Sequence, residues 1–282
     1  MSRRACVTGF PVAHSRSSLL HGYWLEAYGI DGSYGREAVP PDEAAAFYRS
    51  LAARDYVGCN VTVPNKEIAF SVLDEADPSA AALGAANTLW LDGGRLIGAN
   101  TDGYGFLANL DAEAPGWDAA RGVALVLGAG GAARAIIHAL AERGFGRIAI
   151  ANRTLARAQA LAAPYPGRAQ AHGFDAVPGL LAEADVLVNC TSLGMKGAPP
   201  LELDLAPLRA EAVVTDIVYV PLRTPLLRAA AARELRVVDG LGMLLHQGVG
   251  GFEHWFGVRP QVTPELRELI IADLAAKGQL EG

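Results

Sequence analysis

From residue 3 to about residue 240, short apolar runs alternate with stretches whose apolar positions recur every three or four residues. Runs of the first kind read as strands, and the second kind read as helices. In the first hundred residues "RACVTGF", "YGREAV" and "YVGCNVTV" are predicted strands. "SLLHGYWLEAYGI" and "PDEAAAFYRSLAAR" between them carry helical periodicity. "NTLWLDGGRLIGANTDG" predicts a hairpin, because Asp92-Gly93-Gly94 suits the positive φ of a tight turn. A helix follows over "GYGFLANLDA", and the Pro/Gly-rich "EAPGWDAARG" predicts a domain connection. Beyond it, "VALVLGAGG", "RIAIANRT", "ADVLVNCTS", "AVVTDIVY" and "LRVVDG" read as buried strands of a parallel sheet separated by helices. The alternation predicts a layered α/β architecture.

Composition narrows the class. A chain of 282 residues with 51% hydrophobic content supports one or two domains. With 19% charged residues and a net charge of −6, no nucleic-acid or membrane surface is expected. No apolar run approaches the length of a membrane span, and "MSRRACVTGF" lacks an apolar signal core, so a cytoplasmic protein is expected. Cys6, Cys59 and Cys190 lie far apart among apolar residues and are predicted to be small buried thiols. His14, His21 and His246 show no metal-ligand spacing; each is predicted to be a structural hydrogen-bonder, and no metal is expected.

Candidate chemistry appears at "GAGGAARAIIHAL", which fits G-x-G-x-x-A at Gly128, Gly130 and Ala133 directly after a strand. The first glycine allows a tight turn, the second lets backbone approach a pyrophosphate, and the helix start offers amide donors. An acidic residue at the end of the next strand would accept from a ribose 2′-hydroxyl, but this chain has "ANRT". Arg153 and, one turn later, Arg157 are suited to a 2′-phosphate instead, which favours NADP over NAD.

Nine segments in order then carry a resemblance: "GFPVAHSRS", "NVTVPNK", "GAANT", "NTDG", "GAGGAARA", "NRT", "NCTSLGM", "DIVYVPLRTPLL" and "DGLGMLLHQ". Over essentially its whole length the chain resembles the shikimate/quinate dehydrogenase family. The resemblance implies NADPH-dependent reduction of 3-dehydroshikimate to shikimate, in aromatic amino acid biosynthesis. It implies a substrate domain over 1–104, a Rossmann-type NADP domain over 105–239, and C-terminal helices over 240–282 returning to the first domain. Catalysis is expected in a cleft between the domains. Ser15 and Ser17, together with Tyr219, are implied carboxylate contacts, and Thr62, Asn87 and Gln247 contacts to ring oxygens. Implied cofactor contacts are Gly128, Ala129, Gly130, Gly131 and Ala132, then Asn152, Arg153, Thr154 and Arg157, then Thr191, Ile217 and Gly240, with Met195 near the nicotinamide. Lys66 is the implied general acid/base and Asp102 its partner. Hydride delivery builds charge on the ketone oxygen, which an adjacent acid must stabilise and protonate. Pro64 is suited to a first helical position, which places Lys66 in the first turn. A monomer or homodimer is expected.

Four features depart from the family pattern. Ser18 replaces the usual proline, which predicts a looser Ser15/Ser17 clamp, and Gly22 replaces asparagine. Asn65 stands where an aromatic or histidine is common, and the glycine-rich "QGVGGF" predicts a frayed or kinked helix. Quinate or aminoshikimate dehydrogenases and a catalytically silent ligand sensor share the fold and remain open readings.

Overall fold

The computed structural model describes residues 2–281. The chain divides into two compact units. The first holds the residues up to Asp102 together with Leu244–Ile270; the second holds Gly103–Met243 and the residues from Ile271 onward.

In the first unit the strands are β1 (Arg3–Gly9), β2 (Gly32–Ala38), β3 (Gly58–Val61), β4 (Glu75–Ala76), β5 (Thr88–Asp92) and β6 (Arg95–Ala99). The helices are α1 (Ser17–Ala27), α2 (Pro41–Arg49), α3 (Lys66–Ser71) and α4 (Pro78–Leu83). The strands form one mixed sheet in the order β2-β1-β3-β5-β6-β4, with β1, β2 and β3 parallel and β5 antiparallel to both neighbours. Gly93 and Gly94 make the expected β5–β6 turn, both at positive φ. Successive side chains of a strand point to opposite faces. Cys6, Cys59, Val61 and Leu89 accordingly pack on one side with Phe47 and Tyr48 of α2 and with Ala69 of α3. On the other side Gly32 and Gly58 leave space that Phe256 and Trp255 fill, for a Cβ on Gly58 would lie 2.2 Å from the Trp255 ring.

The second unit begins with α5 (Asp102–Glu113), which starts at the unit boundary, and continues β7 (Val123–Leu127), α6 (Gly131–Arg143), β8 (Arg147–Ala151), α7 (Leu155–Ala162), β9 (Ala169–His172), α8 (Val177–Leu181), β10 (Val186–Asn189), β11 (Val213–Asp216), α9 (Pro225–Ala231) and β12 (Arg236–Val238). Its sheet is wholly parallel in the order β12-β11-β10-β7-β8-β9. This is the doubly wound order of a dinucleotide-binding fold, with its switch point between β7 and β10. Ala124 and Val126 join one core with α5 and α6, and Leu125 and Leu127 join the other with α8 and α9. β7 is therefore apolar on both faces, as its continuous apolar run predicted.

Two readings change. "EAPGWDAARG" is not a solvated connection: Ala114 and Trp117 are buried in the core shared by α5 and α6, and the unit boundary falls earlier, at Asp102. The strand β9, at the sheet edge, has the sequence "AQAH", which lacks an apolar run and so gave no strand signal.

The last helices are α10 (Leu241–Phe256) and α11 (Pro264–Ala276). α10 runs unbroken through "QGVGGF", contrary to the expected fraying. Its glycines serve packing: a Cβ on Gly248 would lie 2.9 Å from Leu20, and one on Gly251 2.6 Å from Trp255. Buried aromatic surface, worth about 1.5–3 kcal/mol per side chain, offsets the roughly 1 kcal/mol that a helical glycine costs. The segment expected as one C-terminal piece is divided. Leu244–Ile270 clusters with the first unit, whereas Gln279 and Leu280 accept backbone hydrogen bonds from Leu222 and Arg223 of the second. No helix among the described residues is long and apolar enough to cross a membrane.

Candidate active site

β3 ends at Val61 and the chain turns at once, with Asn65 N–H donating to Thr62 O at 3.1 Å. Pro64, which follows a cis peptide bond, therefore lies within this turn and is not the first helical residue. Asn65 holds the capping position instead. Its buried Nδ2 donates to Val39 O at 2.8 Å, which ties the turn to the chain leaving β2. α3 then opens on Lys66, in the first turn as expected.

The Lys66 ammonium meets Oδ2 of Asp102 in an ion pair, with the lysine side chain 23% exposed and the aspartate 5%. Asp102 is the first residue of α5, and its backbone N–H is held by Asn100 Oδ1 at 3.1 Å. Its second carboxylate oxygen accepts from Asn87 Nδ2 at 2.7 Å. Asn87 Oδ1 in turn accepts from the Thr101 N–H at 2.9 Å, the Thr88 hydroxyl at 2.9 Å and the Thr101 hydroxyl at 3.1 Å. Thr101 Oγ1 also lies 2.9 Å from Gln247 O of α10. Burying an ion pair is tolerable only when further hydrogen bonds complete both partners. Asn87 does that for Asp102, and one of its own amide N–H groups remains for a ligand. Thr62 and Gln247 are half-buried, and their side chains make no hydrogen bond within the chain among the described residues.

Ser15 precedes α1 and Ser17 opens it, their hydroxyls 3.2 Å apart and the Ser17 N–H 3.3 Å from Ser15 Oγ. The helix cap is Arg16, so neither serine is the capping residue. Ser18, where proline is usual, donates to Gly35 O of β2 at 3.4 Å. Sequence reading missed Tyr34, Asn60 and Thr101. The Tyr34 hydroxyl donates to Asn60 Oδ1 at 2.6 Å, and Asn60 Nδ2 donates to Asn87 O at 3.2 Å. The available signal was a polar Asn60 inside an apolar strand run. His21 makes no hydrogen bond of good geometry, although Asn60 stands near enough to act on its ring; the buried ring stacks on Tyr34 at 4.0 Å. Burial pushes its pKa down to about 3, so the ring is neutral.

In the second unit, every expected dinucleotide residue lies at the carboxyl end of a parallel strand, where such folds bind ligands. Gly128 follows β7 at φ +100°, and a Cβ there would also lie 3.0 Å from Thr191 Cγ2. Gly130 caps α6 in extended backbone, and a Cβ on Gly130 or Gly131 would meet nothing within 4 Å. That open space above an uncapped helix start fits a pyrophosphate, with Ala129 and Ala132 half-buried beside it. Ala133 is fully buried, which lets α6 pack closely on the sheet. After β8, Asn152 Nδ2 donates to Thr154 O at 2.8 Å, and no acid follows the strand. Arg153 and Arg157 are exposed, and neither makes an ion pair within the chain among the described residues. Thr191 is held by Asn189 Oδ1, which accepts its N–H at 3.0 Å and its hydroxyl at 2.7 Å. Met195 is 44% exposed, so it is not a core methionine. Ile217 N–H donates to Asn189 O at 3.1 Å. Gly240 has no room for a Cβ, which would lie 2.4 Å from Ile217 O. Tyr219 is half-buried in the loop after β11.

Beneath these loops sits Asp216, fully buried and absent from the sequence reading. Its carboxylate accepts from Asn189 Nδ2 at 3.0 Å, Val218 N–H at 3.0 Å and the Thr224 hydroxyl at 2.8 Å. Burial raises its pKa to about 6, against the opposing pull of those three donors.

Comparison with known proteins finds three family profiles along the chain. "Shikimate dehydrogenase substrate binding domain" matches residues 7–89, "Shikimate / quinate 5-dehydrogenase" residues 112–195, and "Shikimate 5'-dehydrogenase C-terminal domain" residues 240–264. A shikimate dehydrogenase (NADP(+)) of Azorhizobium caulinodans is 63% identical over 278 residues, 99% of each chain. Among solved structures, shikimate 5-dehydrogenase from Thermus thermophilus, in complex with NADP(H) and shikimate, is 37% identical. It has a TM-score of 0.82 over 96% of this chain and 99% of that one. Quinate dehydrogenase from Corynebacterium glutamicum, in complex with NAD, is 29% identical with a TM-score of 0.88 over the same shares. Proteins named for two substrates thus share this fold, and side chains must decide between them.

Proposed function

Because the chain belongs to the shikimate dehydrogenase family, we propose that it catalyses the reversible NADPH-dependent reduction of 3-dehydroshikimate to shikimate. NADPH, when bound, supplies the hydride. The observation that carries the reading is the Lys66–Asp102 pair completed by Asn87, which holds a proton donor in a fixed place. As the ketone is reduced, charge builds on its oxygen, and Lys66 Nζ stabilises that charge and delivers the proton. In the direction of oxidation the same nitrogen accepts the proton of the substrate hydroxyl. Asp102 fixes where the ammonium stands and balances its charge. Thr62, Gln247 and the remaining N–H of Asn87 face no competing protein partner and suit ring oxygens. Ser15, Ser17 and Tyr219 are assigned to the carboxylate.

The glycine turn at 128–131 is assigned to the pyrophosphate, with Ala129 and Ala132 beside it, and Arg153 and Arg157 to the 2′-phosphate, with Asn152 and Thr154 shaping that loop. Thr191, Met195, Ile217 and Gly240 complete the nicotinamide end. An acid after β8 would repel a 2′-phosphate, and its absence there supports NADP. Three buried free thiols suit a reducing cytoplasmic location.

The test is an absorbance assay of cofactor reduction with shikimate and quinate, each against NADP and NAD. Shikimate with NADP is expected to give the highest kcat/KM. No reduced cofactor in any combination overturns the enzyme reading, a preference for quinate moves it to the related activity, and a preference for NAD removes the arginine argument.

A further inference from the structure

We infer that Arg36 supplies the positive charge against which the carboxylate of the ring substrate is held, and that it fixes the loop carrying Ser15 and Ser17. The inference rests on the reaction proposed above. Serine hydroxyls can donate to a carboxylate but carry no charge to balance it. A guanidinium supplies both the countercharge and a paired donor fork. Lys66 does not supply the missing charge, because its ammonium is committed to Asp102.

Arg36 stands on β2, paired with Val7 of β1 and two residues beyond Tyr34. Residues two apart on a strand share a face, and Tyr34 meets His21 of α1 on that face. From there Arg36 Nε donates to Ser15 O at 2.9 Å. No other hydrogen bond or ion pair within the chain engages its guanidinium among the described residues, so both terminal nitrogens are left for a ligand. The side chain is exposed and within reach of a solute. With Nε anchored, the guanidinium plane is fixed beside the serine pair, and its outer edge presents two parallel N–H donors, the fork that matches a carboxylate. The neighbouring Gly35 O accepts from Ser18, so the loop is stitched to β2 at two successive residues. The Ser18 tie is one that a proline at that position could not make. The recognised chemistry is a carboxylate on a small hydroxylated ring, approached from the open side of β2.

The experiment compares wild type, Arg36→Gln and Arg36→Lys with saturating NADP, using shikimate and its neutral carboxamide, the latter as substrate or competitive inhibitor. Arg36→Gln is expected to raise KM for shikimate about 10- to 100-fold with little change in kcat, the factor that a lost charge-assisted bond implies. Arg36→Lys recovers part of it. The constant for the carboxamide rises much less, by only the share that a loosened Ser15/Ser17 loop imposes, and added salt raises KM for shikimate in wild type but not in the variant. An unchanged KM for shikimate overturns the inference. So does an equal penalty on shikimate and carboxamide, which would mean that Arg36 only supports the loop. A wild type that turns over no shikimate overturns the reaction and the inference together, whereas an active wild type with an indifferent Arg36→Gln overturns only the latter.

Discussion

Two buried carboxylates, one in each unit, are held by the same arrangement of side chains. Asp102 accepts from Asn87, whose Oδ1 takes the N–H and hydroxyl of Thr101. Asp216 accepts from Asn189, whose Oδ1 takes the N–H and hydroxyl of Thr191. They differ at the second carboxylate oxygen. Asp102 meets the Lys66 ammonium there, and Asp216 meets only the Thr224 hydroxyl. Without a cation, burial dominates at Asp216 and lifts its pKa to about 6. The Asp–Asn–Thr knot is therefore a way to lock loops at the end of a strand. A lysine added to it makes a proton donor of fixed position.

Cutting the cation out of the first knot tests that distinction most severely. Lys66→Met is expected to lower kcat by about 10²- to 10⁴-fold, the range for losing a general acid, with KM for NADP little changed. It also leaves a buried carboxylate without its partner, at a cost of roughly 3–5 kcal/mol in stability that the double variant Lys66→Met/Asp102→Leu should largely return. Asp216→Asn, which removes charge from the other knot, should move kcat far less. Steady-state kinetics and urea unfolding of the four proteins decide the matter. Equal losses of turnover in Lys66→Met and Asp216→Asn would erase the difference between the knots.

How much of this was legible in the sequence follows from the range of each contact. The turn at Gly128 and the helix behind it are local: five apolar residues, a glycine pair and a run of alanines specify strand, turn and helix. Lys66 and Asp102 were legible only through resemblance, because nothing local says that residues 36 apart will meet. Asn189 and Asp216 carried a signal that went unused. Each is a polar residue closing a fully buried strand, and a buried polar group needs a hydrogen-bonding partner. Arg36 carried none, since an arginine on a half-exposed strand looks like any solvated charge until the fold brings Ser15 beside it. Pro64 was misread for a related reason. Its preference for a helix start is real, but Asn65 was drawn into a hydrogen bond with Val39 and moved the start onward.

The second knot makes its own prediction through pH. A carboxylate whose pKa rises on folding binds its proton more tightly in the native state, so the ionised form opposes folding. Stability from this group is therefore fully present below its unfolded pKa, about 3.9, and is lost as pH rises through about 6. That displacement is worth about 3 kcal/mol. Asparagine at 216 keeps one acceptor oxygen and cannot ionise, and the Thr224 hydroxyl can turn to accept from its amide. Asp216→Asn should accordingly gain stability relative to wild type, by about 2 kcal/mol between pH 4 and pH 7. Urea midpoints across that range provide the check. A constant gap between the two proteins would mean that the carboxylate is not desolvated as the fold implies.

The smallest test sets the two threonines against each other. Thr101→Val and Thr191→Val each delete one hydroxyl that contacts an asparagine Oδ1, the Thr101 proton being shared with Gln247 O at 2.9 Å, while leaving the backbone N–H bond to that oxygen in place. Each deletion should cost about 1 kcal/mol of stability, and a loss of that size changes an equilibrium about fivefold. Stability alone therefore does not separate them, and the kinetic constant that moves must. Thr101 steadies the asparagine that holds Asp102, so its loss is expected in kcat, by a few-fold, with KM for NADP constant. Thr191 follows β10 and its hydroxyl also accepts from Leu193 N–H at 3.1 Å, so its loss is expected in KM for NADP, with kcat constant. Opposite phenotypes would show that the same bond serves proton transfer in one unit and cofactor binding in the other. Identical ones would mean that both knots are scaffolding and that Lys66 acts without help from the threonine behind it.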